Sequence, residues 1–600
     1  MKNKVCCWIL IGVGVFVLLL FLATGVFFAA ALRSGHGDPA VRPHTYLMLE
    51  TSGLLAEYRT VPLPVALSSR QSTLSEILRA LERAADDPRI AGVVLRPLNV
   101  AGFAEIRELR QALQNFKRSK KPVFAYLDIA TDRDYYLASM ADSVFMSPAC
   151  SGGLVMAGLS VSSTYLARTF EKLGLKFHVL HAGRYKGAYE NLGRDRMSEE
   201  LRENLQSLLD DLYDTYTRES AESRPAISQA ALDDELQHGT HLFITGPEAV
   251  KKKLADAALD WGDVRERLKG NDDEFRTVTP ARYLRAAARP SAGTKEIAVV
   301  FAQGEISFRH DGGLLDLSEG IYSDAMVKLL RSLREDDRVA AVVLRVNSPG
   351  GSALASEIIT QEVRRLKSKK PVVVSMGNVA ASGGYYISCL ADRIVAQPNT
   401  ITGSIGVVGV FPTAQVLFEK IGARVETVEK GKWAEFFRFD RDLGAEQEAV
   451  VLDLMNGVYD EFTGRVAEGR RLSVDDVKAV GEGRIWTGSQ ALERKLVDEL
   501  GGLDVAVERA KELARIPPAQ AVRIRNYPRE EDLVNYVLRR LQSLAVEWRD
   551  AMFTPEQRQI SRALAYLNRF VDRSDFVQMI LPVDVPGCPP GFARGAEVRP

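Results

Sequence analysis

The chain has 600 residues, of which 46% are hydrophobic and 26% charged, a composition typical of a folded protein that excludes disordered and fibrous classes. Its 78 lysines and arginines balance 78 aspartates and glutamates, so the basic excess of a nucleic-acid-binding protein is missing. Five cysteines are too few for a disulfide scaffold, and the length alone predicts about four domains.

The first element is an uncharged segment, residues 5–32. A helix of this length spans roughly 40 Å, more than the roughly 30 Å hydrocarbon core of a bilayer. We therefore predict a transmembrane anchor. The three alanines at 29–31 leave a cleaved signal peptide as the alternative, although the apolar regions of such peptides are shorter. Lys2 and Lys4 predict that residues 1–4 are cytoplasmic and that the body of the protein is extracytoplasmic.

The rest of the chain is organised by an internal duplication. The run Val93–Arg96 reappears as Val342–Arg345, 249 positions later, and further pairs recur at similar offsets. We predict two related domains, residues 45–285 and 295–510.

Two segments flank the second of these domains. The stretch 286–293, which ends in RPSAG, is predicted to be the linker between the domains. The chain from 515 to 600 is predicted to be a C-terminal extension, helical over 530–573 and irregular at its end.

Short β-branched runs alternate with amphipathic stretches in each half. In the second half, strands are predicted at Ile297–Ala302, Ala340–Val346 and Pro371–Met376, and a helix at Leu354–Leu366. This alternation predicts an α/β fold with parallel sheets and crossover helices.

Three clusters of small residues follow these strands. Paired glycines in Asn347–Ser352 allow a tight turn whose N–H groups can face a ligand. Ser382, within Ala380–Gly384, lies at a strand-to-helix junction, the setting of a nucleophile elbow, although the G-x-S-x-G form is absent. A third cluster is Thr402–Gly406. Taken singly, each also fits a purely structural interpretation, as a turn or a helix N-cap.

The duplication changes the interpretation of these clusters. Ser382 aligns with Asp132 at an offset of 250, and Lys186 aligns with Ala434 at 248. One half thus has a candidate nucleophile without the lysine, and the other has the lysine without the nucleophile. Such complementary loss indicates a duplicated enzyme with one shared site.

The motifs NSPGGS, AASGGYYIS and TITGSIGVVG, preceded by RYKGAYE, resemble the long form of the signal peptide peptidase A (protease IV) family over about residues 45–510. The resemblance implies tandem Clp-protease/crotonase-like domains behind a transmembrane helix, and a serine protease with a Ser/Lys dyad. Matched motif by motif, the resemblance implies that Ser382 is the nucleophile and Lys186 the general base. It also implies that Ser404 orients the lysine and that Gly383, Gly350 and Gly351 form the oxyanion hole.

The same resemblance implies partners and a location. It implies peptide substrates, chiefly signal-peptide remnants and other short or unfolded membrane-proximal segments, and a homo-oligomer, a tetramer in this family. It implies the bacterial inner membrane, with the catalytic body facing the periplasm. No metal or nucleotide motif appears, and we expect neither a cofactor nor a nucleic-acid partner. Cys150 and Cys389 are expected to be buried apolar residues rather than a disulfide.

The histidine distribution bears on the mechanism. No histidine follows His310 and none lies in a motif, which disfavours a Ser–His–Asp triad. Only about one lysine in a thousand is neutral at pH 7, so a Lys186 base requires burial, which docking on the second domain would supply. We expect Lys186 to take the Ser382 proton and to return it to the leaving amine. A crotonase-type acyl-CoA enzyme and a non-catalytic membrane scaffold are the alternatives.

Overall fold

The computed structural model describes residues 41–59, 71–239, 241–286, 293, 295–308, 320–436, 438–517, 520–529 and 578–580. The predicted anchor, most of the predicted linker and the predicted helical stretch 530–573 lie outside these residues. Within the described ranges, no helix is both long enough and apolar enough to cross a membrane.

The strands of the first half alternate with helices along the chain. They are β1 (Thr45–Gly53), β2 (Ile90–Val100), β3 (Val123–Leu127), β4 (Ile129–Thr131), β5 (Ser143–Met146), β6 (Gly153–Val155), β7 (Lys176–Ala182), β8 (Phe243–Thr245), β9 (Ala257–Ala258) and β10 (Arg276–Val278).

The strands of the second half and the C-terminal segment are β11 (Glu296–Gln303), β12 (Glu305–Ser307), β13 (Gly320–Tyr322), β14 (Val339–Ser348), β15 (Gly350–Ser352), β16 (Val372–Ala381), β17 (Arg393–Ala396), β18 (Ile401–Gly403), β19 (Val407–Thr413), β20 (Ile485–Thr487), β21 (Glu499–Leu500), β22 (Arg523–Tyr527) and β23 (Gln578–Ile580).

The helices between these strands are α1 (Leu74–Asp86), α2 (Phe103–Lys117), α3 (Asp132–Ala138), α4 (Ala167–Leu173), α5 (Glu190–Gly193), α6 (Glu199–Ser223), α7 (Gln229–His238), α8 (Gly246–Lys251), α9 (Trp261–Lys269), α10 (Pro280–Ala286), α11 (Ser323–Glu335), α12 (Ala353–Lys367), α13 (Gly383–Tyr386), α14 (Gln415–Lys420), α15 (Ala445–Arg470), α16 (Val474–Val480), α17 (Gly488–Glu493) and α18 (Leu503–Leu513).

The two halves have the same sheet topology. The main sheet of the first half runs β10-β1-β2-β3-β5-β9, and the corresponding path in the second half is β22-β11-β14-β16-β17-β21, with parallel pairing along both. A small sheet at one end is also repeated, as β4-β6-β8 and as the end of β16 with β18 and β20. The chain is therefore an α/β protein with parallel sheets and one topology used twice.

The predicted strands and helix of the second half are confirmed, with ends a few residues longer. β16 is buried along its whole length, because helices cover both faces of the parallel sheet, and this accounts for its run of small and β-branched residues. Several helices begin at a residue whose side chain caps them. α1, for example, starts after Thr73, whose side chain accepts the Glu76 N–H in a capping box.

Two sequence-based expectations need correction. β22 lies beyond the predicted end of the second domain at 510 and pairs with β11, so the first part of the supposed extension completes the second sheet. Cys389 is buried as predicted, but Cys150 is exposed, because it lies in the turn that follows β5.

The halves share an extensive interface. β7 of the first half pairs antiparallel with β19 of the second over seven residues, in a mixed sheet that also contains β12, β13, β15 and β23. The Asn204 side chain makes two hydrogen bonds of 2.8 Å to the backbone of Ile485. Val379 and Ile401 of the second half join the hydrophobic core of the first. The two halves therefore pack as one continuous body.

A buried ionic cluster also joins the halves. The Arg345 guanidinium, 1% exposed, donates to Glu57 at 3.0 Å and to Glu108 at 2.6 Å, both from the first half. Burial raises the pKa of the neighbouring Glu105 carboxyl to about 8. This carboxyl accepts from Asn378 of the second half at 3.2 Å. The desolvation of Glu57 and Glu108 is compensated only while Arg345 is present.

We expect Arg345→Met to lower the free energy of unfolding by about 3–5 kcal/mol, because Glu57 and Glu108 would be left buried without their cation. Urea denaturation followed by circular dichroism measures this change. Arg338→Met is the matched control, since Arg338 makes a similar 2.8 Å pair with Asp336 but is 71% exposed, and its loss should have no measurable effect. Equal effects of the two changes would show that Arg345 does not stabilise the protein as the cation of Glu57 and Glu108.

Candidate active site

Ser382 lies directly between β16 and α13. Its φ of 55° and ψ of −115° are uncommon for a non-glycine residue, and its backbone is held by hydrogen bonds from its N–H to the Gly403 carbonyl and from the Tyr386 N–H to its carbonyl, both 2.8 Å. Although it occupies the N-cap position, its side chain makes no capping hydrogen bond. The hydroxyl of Ser382 is therefore not used as a cap, and such constrained backbone is concentrated at functional sites.

Lys186 reaches this serine from the loop that follows β7. The loop packs on the second half, where the Tyr185 N–H donates to the Glu482 carbonyl at 2.7 Å. Gly483, with φ of 80°, lies beneath Lys186, and a Cβ at this position would come within 2.5 Å of the Lys186 backbone. The β7–β19 pairing and this glycine contact together fix the lysine against the second half.

The two side chains meet in a fully buried setting. Lys186 Nζ lies 2.7 Å from Ser382 Oγ, 2.9 Å from Ser404 Oγ and 3.0 Å from the Ser404 carbonyl oxygen. Lys186 is 1% exposed, and the two serines are fully buried. Burial lowers the pKa of the Lys186 amine well below its usual range, and no carboxylate is among these three contacts to favour the charged form. The site therefore favours a neutral amine beside a serine hydroxyl.

Ser404 is placed by the link between β18 and β19. Its φ of 53° turns the chain immediately after Gly403, and its N–H donates to the Arg484 carbonyl at 2.7 Å. In this conformation both its hydroxyl and its carbonyl face the amine of Lys186. The predicted pairing of Ser404 with Lys186 thus corresponds to two hydrogen bonds in the structure.

The three candidate oxyanion-hole glycines lie together. A Cβ on Gly383 would come within 2.8 Å of Ser356 Oγ, 3.1 Å of Gly350 Cα and 3.2 Å of Gly351 N, so a larger residue would force these neighbours apart. The Gly350 N–H donates to Ser348 Oγ at 3.2 Å. The Gly383 N–H lies in the first turn of α13, where a helix provides no intrahelical acceptor. The Gly383 N–H therefore has no acceptor within its helix and lies beside Ser382, whereas the Gly350 N–H already donates to Ser348 Oγ.

The positions that align with Ser382 and Lys186 in the opposite halves lack this arrangement. Asp132, which aligns with Ser382, begins α3, and its carboxyl accepts the Ala157 N–H at 3.0 Å. Burial raises the pKa of this carboxyl to about 6. Ala434, which aligns with Lys186, lies in an exposed loop. Neither Asp132 nor Ala434 therefore reproduces the contact between Ser382 and Lys186.

The sequence analysis missed two features, one at the site and one at the interface between the halves. Gly483 has no motif around it, and only its contact with Lys186 explains its importance. The Arg345 cluster was also missed, although an arginine inside a predicted buried strand was a usable signal.

The chain matches the model of Peptidase family S49 over residues 115–273 and 364–517. The first range contains Lys186, and the second contains Ser382, Gly383 and Ser404.

Several known proteins are similar to this chain over most of its length. The chain is 35% identical over 540 residues to Protease 4 of Haemophilus influenzae, and the match covers 85% of this chain and 86% of that protein. It is 32% identical over 530 residues to Protease 4 of Salmonella typhi, covering 84% and 83%, respectively. It is 35% identical over 459 residues to the chloroplastic Serine protease SPPA of Arabidopsis thaliana, covering 74% and 66%. A solved structure of a ClpP1 mutant from Listeria monocytogenes overlaps 35% of this chain and 94% of its own, with 15% identity and a TM-score of 0.24, too low to support an argument.

Proposed function

This chain belongs to peptidase family S49 and is a serine peptidase, and from that premise we propose that Ser382 and Lys186 form its catalytic dyad. The observation that carries the proposal is the 2.7 Å contact between Lys186 Nζ and Ser382 Oγ in a buried site where the pKa of the amine is lowered. An intact serine–lysine pair argues against a non-catalytic scaffold, and relatives named as proteases argue against an acyl-CoA enzyme.

The proposed reaction proceeds through an acyl-enzyme. Neutral Lys186 takes the hydroxyl proton of Ser382 as Oγ attacks the peptide carbonyl carbon. The resulting ammonium gives that proton to the departing amine when the C–N bond breaks, which leaves an ester on Ser382. Water then attacks the ester with Lys186 again as the base, and the carboxylic acid product is released with the serine restored.

The developing oxyanion needs donors beside Ser382. We assign this role to the Gly383 N–H together with one N–H of the Gly350–Gly351 pair. In the structure the Gly350 N–H donates to Ser348 Oγ, and Gly351 is paired with β12 and β23. The two glycines of β15 also allow this strand to lie close to Gly383 at the start of α13.

We propose that substrates bind in an extended conformation along β15, on the edge that β23 occupies in the structure, and that they displace β23 when they bind. β23 supports this mode, since its backbone pairs antiparallel with β15 across Gly350–Ser352 and also with β19. The proposed substrates are signal-peptide remnants and other short or unfolded polypeptides. A relative from Enterococcus faecium, 31% identical over 271 residues, is named a putative signal peptide peptidase.

The cellular setting is part of the same proposal. The uncharged segment 5–32 supports anchoring in the bacterial inner membrane by a single span, with the catalytic body on the periplasmic side. We also propose a homo-tetramer. Size measurement of the detergent-solubilised full chain tests the assembly, and protease protection of inverted membrane vesicles tests the orientation.

Ser404→Ala is expected to lower kcat by about 10- to 100-fold, because Lys186 loses one of the contacts that orient its amine towards Ser382. Since a hydroxyl acceptor favours the ammonium form, its loss should also move the acid limb of the kcat/KM profile to lower pH. Steady-state kinetics on a fluorogenic peptide measures both effects. An unchanged kcat and pH profile would exclude a positioning role.

A serine-directed fluorophosphonate probe tests the dyad directly. The probe should label Ser382 in the full chain, and labelling should be lost in Lys186→Met because the hydroxyl is no longer activated. Peptide mapping by mass spectrometry identifies the labelled residue. Labelling of a different serine would overturn the assignment.

A further inference from the structure

Tyr185, the residue before Lys186, lies against an arginine of the other half. The Arg484 guanidinium is 4.7 Å from the centre of the Tyr185 ring, within the range of a cation–π contact. Arg484 is also paired with Glu203 of α6 at 2.9 Å, and the Tyr185 hydroxyl donates to the other oxygen of that carboxylate at 3.2 Å. Two side chains of the first half therefore hold one arginine of the second.

The same guanidinium lies against a ring of its own half. Its central carbon is 4.8 Å from the centre of the Trp486 ring in β20. Trp486 is 5% exposed, and its Nε1–H donates to the Val480 carbonyl at 2.9 Å, so the position of this ring is fixed. A planar guanidinium can contact rings with its faces and a carboxylate with its edge at the same time. Arg484 therefore joins the Tyr185 loop to a fixed part of the second half.

The backbone of Arg484 contacts the serine that orients the lysine. Its carbonyl accepts the Ser404 N–H at 2.7 Å, and Ser404 supplies two of the three contacts of the Lys186 amine described above. The side chain of Arg484, in turn, holds the residue that precedes Lys186. One residue thus contacts both the loop that carries the proposed base and the serine that orients it.

We propose that Arg484 is a positioning residue for the Lys186 amine, which acts through Tyr185 by keeping the Lys186 loop closed and water away from the site. The inference rests on the proposed function in taking Lys186 as the base. The hydrogen bond from the Tyr185 N–H to the Glu482 carbonyl is a backbone contact, so loss of the Arg484 side chain should loosen the loop without releasing it.

The first test is Arg484→Met in the full chain, with steady-state kinetics on a fluorogenic peptide. The change should lower kcat about tenfold with KM little altered, because it loosens the base and removes no substrate contact. The acid limb of kcat/KM should move to higher pH, since water at the amine raises the pKa that burial lowers. This shift is opposite to the one expected for Ser404→Ala. A merely structural role would lower Tm without moving the acid limb.

Two further variants keep the test decisive. Tyr185→Leu removes the other side of the contact and should reproduce both effects. Combined with Arg484→Met, it should add little further loss, because both changes break the same contact. Arg484→Lys retains a cation for Glu203 but cannot stack on the ring, so it should show the same acid-limb shift to a smaller extent, even if Arg484→Met does not fold.

Arg494→Met is the matched control. Arg494 also lies on the Trp486 ring, 3.8 Å from its centre, but its guanidinium donates to the Gln490 carbonyl at 2.7 Å, within and just after α17. Its replacement should change neither kcat nor the acid limb.

Hydrogen exchange of residues 183–189, measured by mass spectrometry, gives a readout that does not depend on catalysis. Exchange should be faster in Arg484→Met and unchanged in Arg494→Met. Unchanged exchange in Arg484→Met, or equal effects of the two changes, would overturn the inference and leave the dyad standing. Faster exchange with an unmoved acid limb would overturn the inference together with the role of Lys186 as the base.

Discussion

Ser382→Ala is expected to lower kcat/KM on a fluorogenic peptide by about 10⁴- to 10⁶-fold, the loss seen when a serine nucleophile is removed. The physical reason is that Ser382 Oγ lies 2.7 Å from the Lys186 amine and next to the Gly383 N–H, the donor proposed for the oxyanion. Because the Ser382 side chain does not cap α13, the change removes no helix-stabilising bond. Cooperative thermal unfolding should therefore be retained.

Ser388→Ala is the matched control for this change. Ser388 is also buried, and its hydroxyl donates to the Gly384 carbonyl at 2.7 Å, outside the dyad. Its replacement should leave the peptidase activity near that of the parent. Full activity of Ser382→Ala, or an equal loss in both variants, would show that Ser382 is not the nucleophile.

Lys186→Met is expected to lower kcat/KM by a similar factor, because the serine and its base act as a unit. The parent enzyme should also show a kcat/KM that rises with pH through the lowered pKa of Lys186, since only the neutral amine accepts the serine proton. The acid limb should therefore lie well below the ordinary lysine pKa of about 10.4. Stopped assays across a buffer series measure this profile.

The same lysine links stability to pH with a definite sign. Between its lowered native pKa and about 10.4, the native state binds fewer protons at Lys186 than the unfolded state does, so this residue makes stability rise with pH. At neutral pH it therefore opposes folding, and Lys186→Met should raise Tm there. The gain should shrink as the pH approaches about 10.4, where the unfolded chain also loses its proton.

Lys367→Met serves as the control for the lysine. Lys367 is only partly buried, and its amine donates to the Leu390 carbonyl at 2.9 Å, far from the dyad. Neither the activity nor its pH profile should change in this variant. An acid limb near pH 10.4 in the parent, or an active Lys186→Met enzyme, would contradict a role for Lys186 as the base.

Much of the fold and the candidate site could be predicted because the information is local or repeated. β-branched runs placed the strands that became β11, β14 and β16, and the repeated offsets indicated one topology used twice. The complementary replacement of Ser382 by Asp132 and of Lys186 by Ala434 pointed to a single shared site. The motif resemblance then assigned the individual roles.

Other features depended on packing that no local pattern contains. The run V-V-L-R occurs twice, yet Arg96 remains partly exposed beside Asp128, whereas Arg345 is buried between two glutamates of the other half. The end of the second sheet was misplaced for a similar reason, since β22 is stabilised by its pairing with β11.

The sequence by itself determined the duplication, the α/β class and the two residues proposed to carry the chemistry, because periodicity, repeats and motifs are patterns of residues along the chain. Only the tertiary structure decided that Lys186 and Ser382, 196 positions apart, lie 2.7 Å from each other in a site without water-exposed surface. Burial depends on all the residues that pack around a group, and it is burial that lowers the pKa of the Lys186 amine and so favours its neutral form.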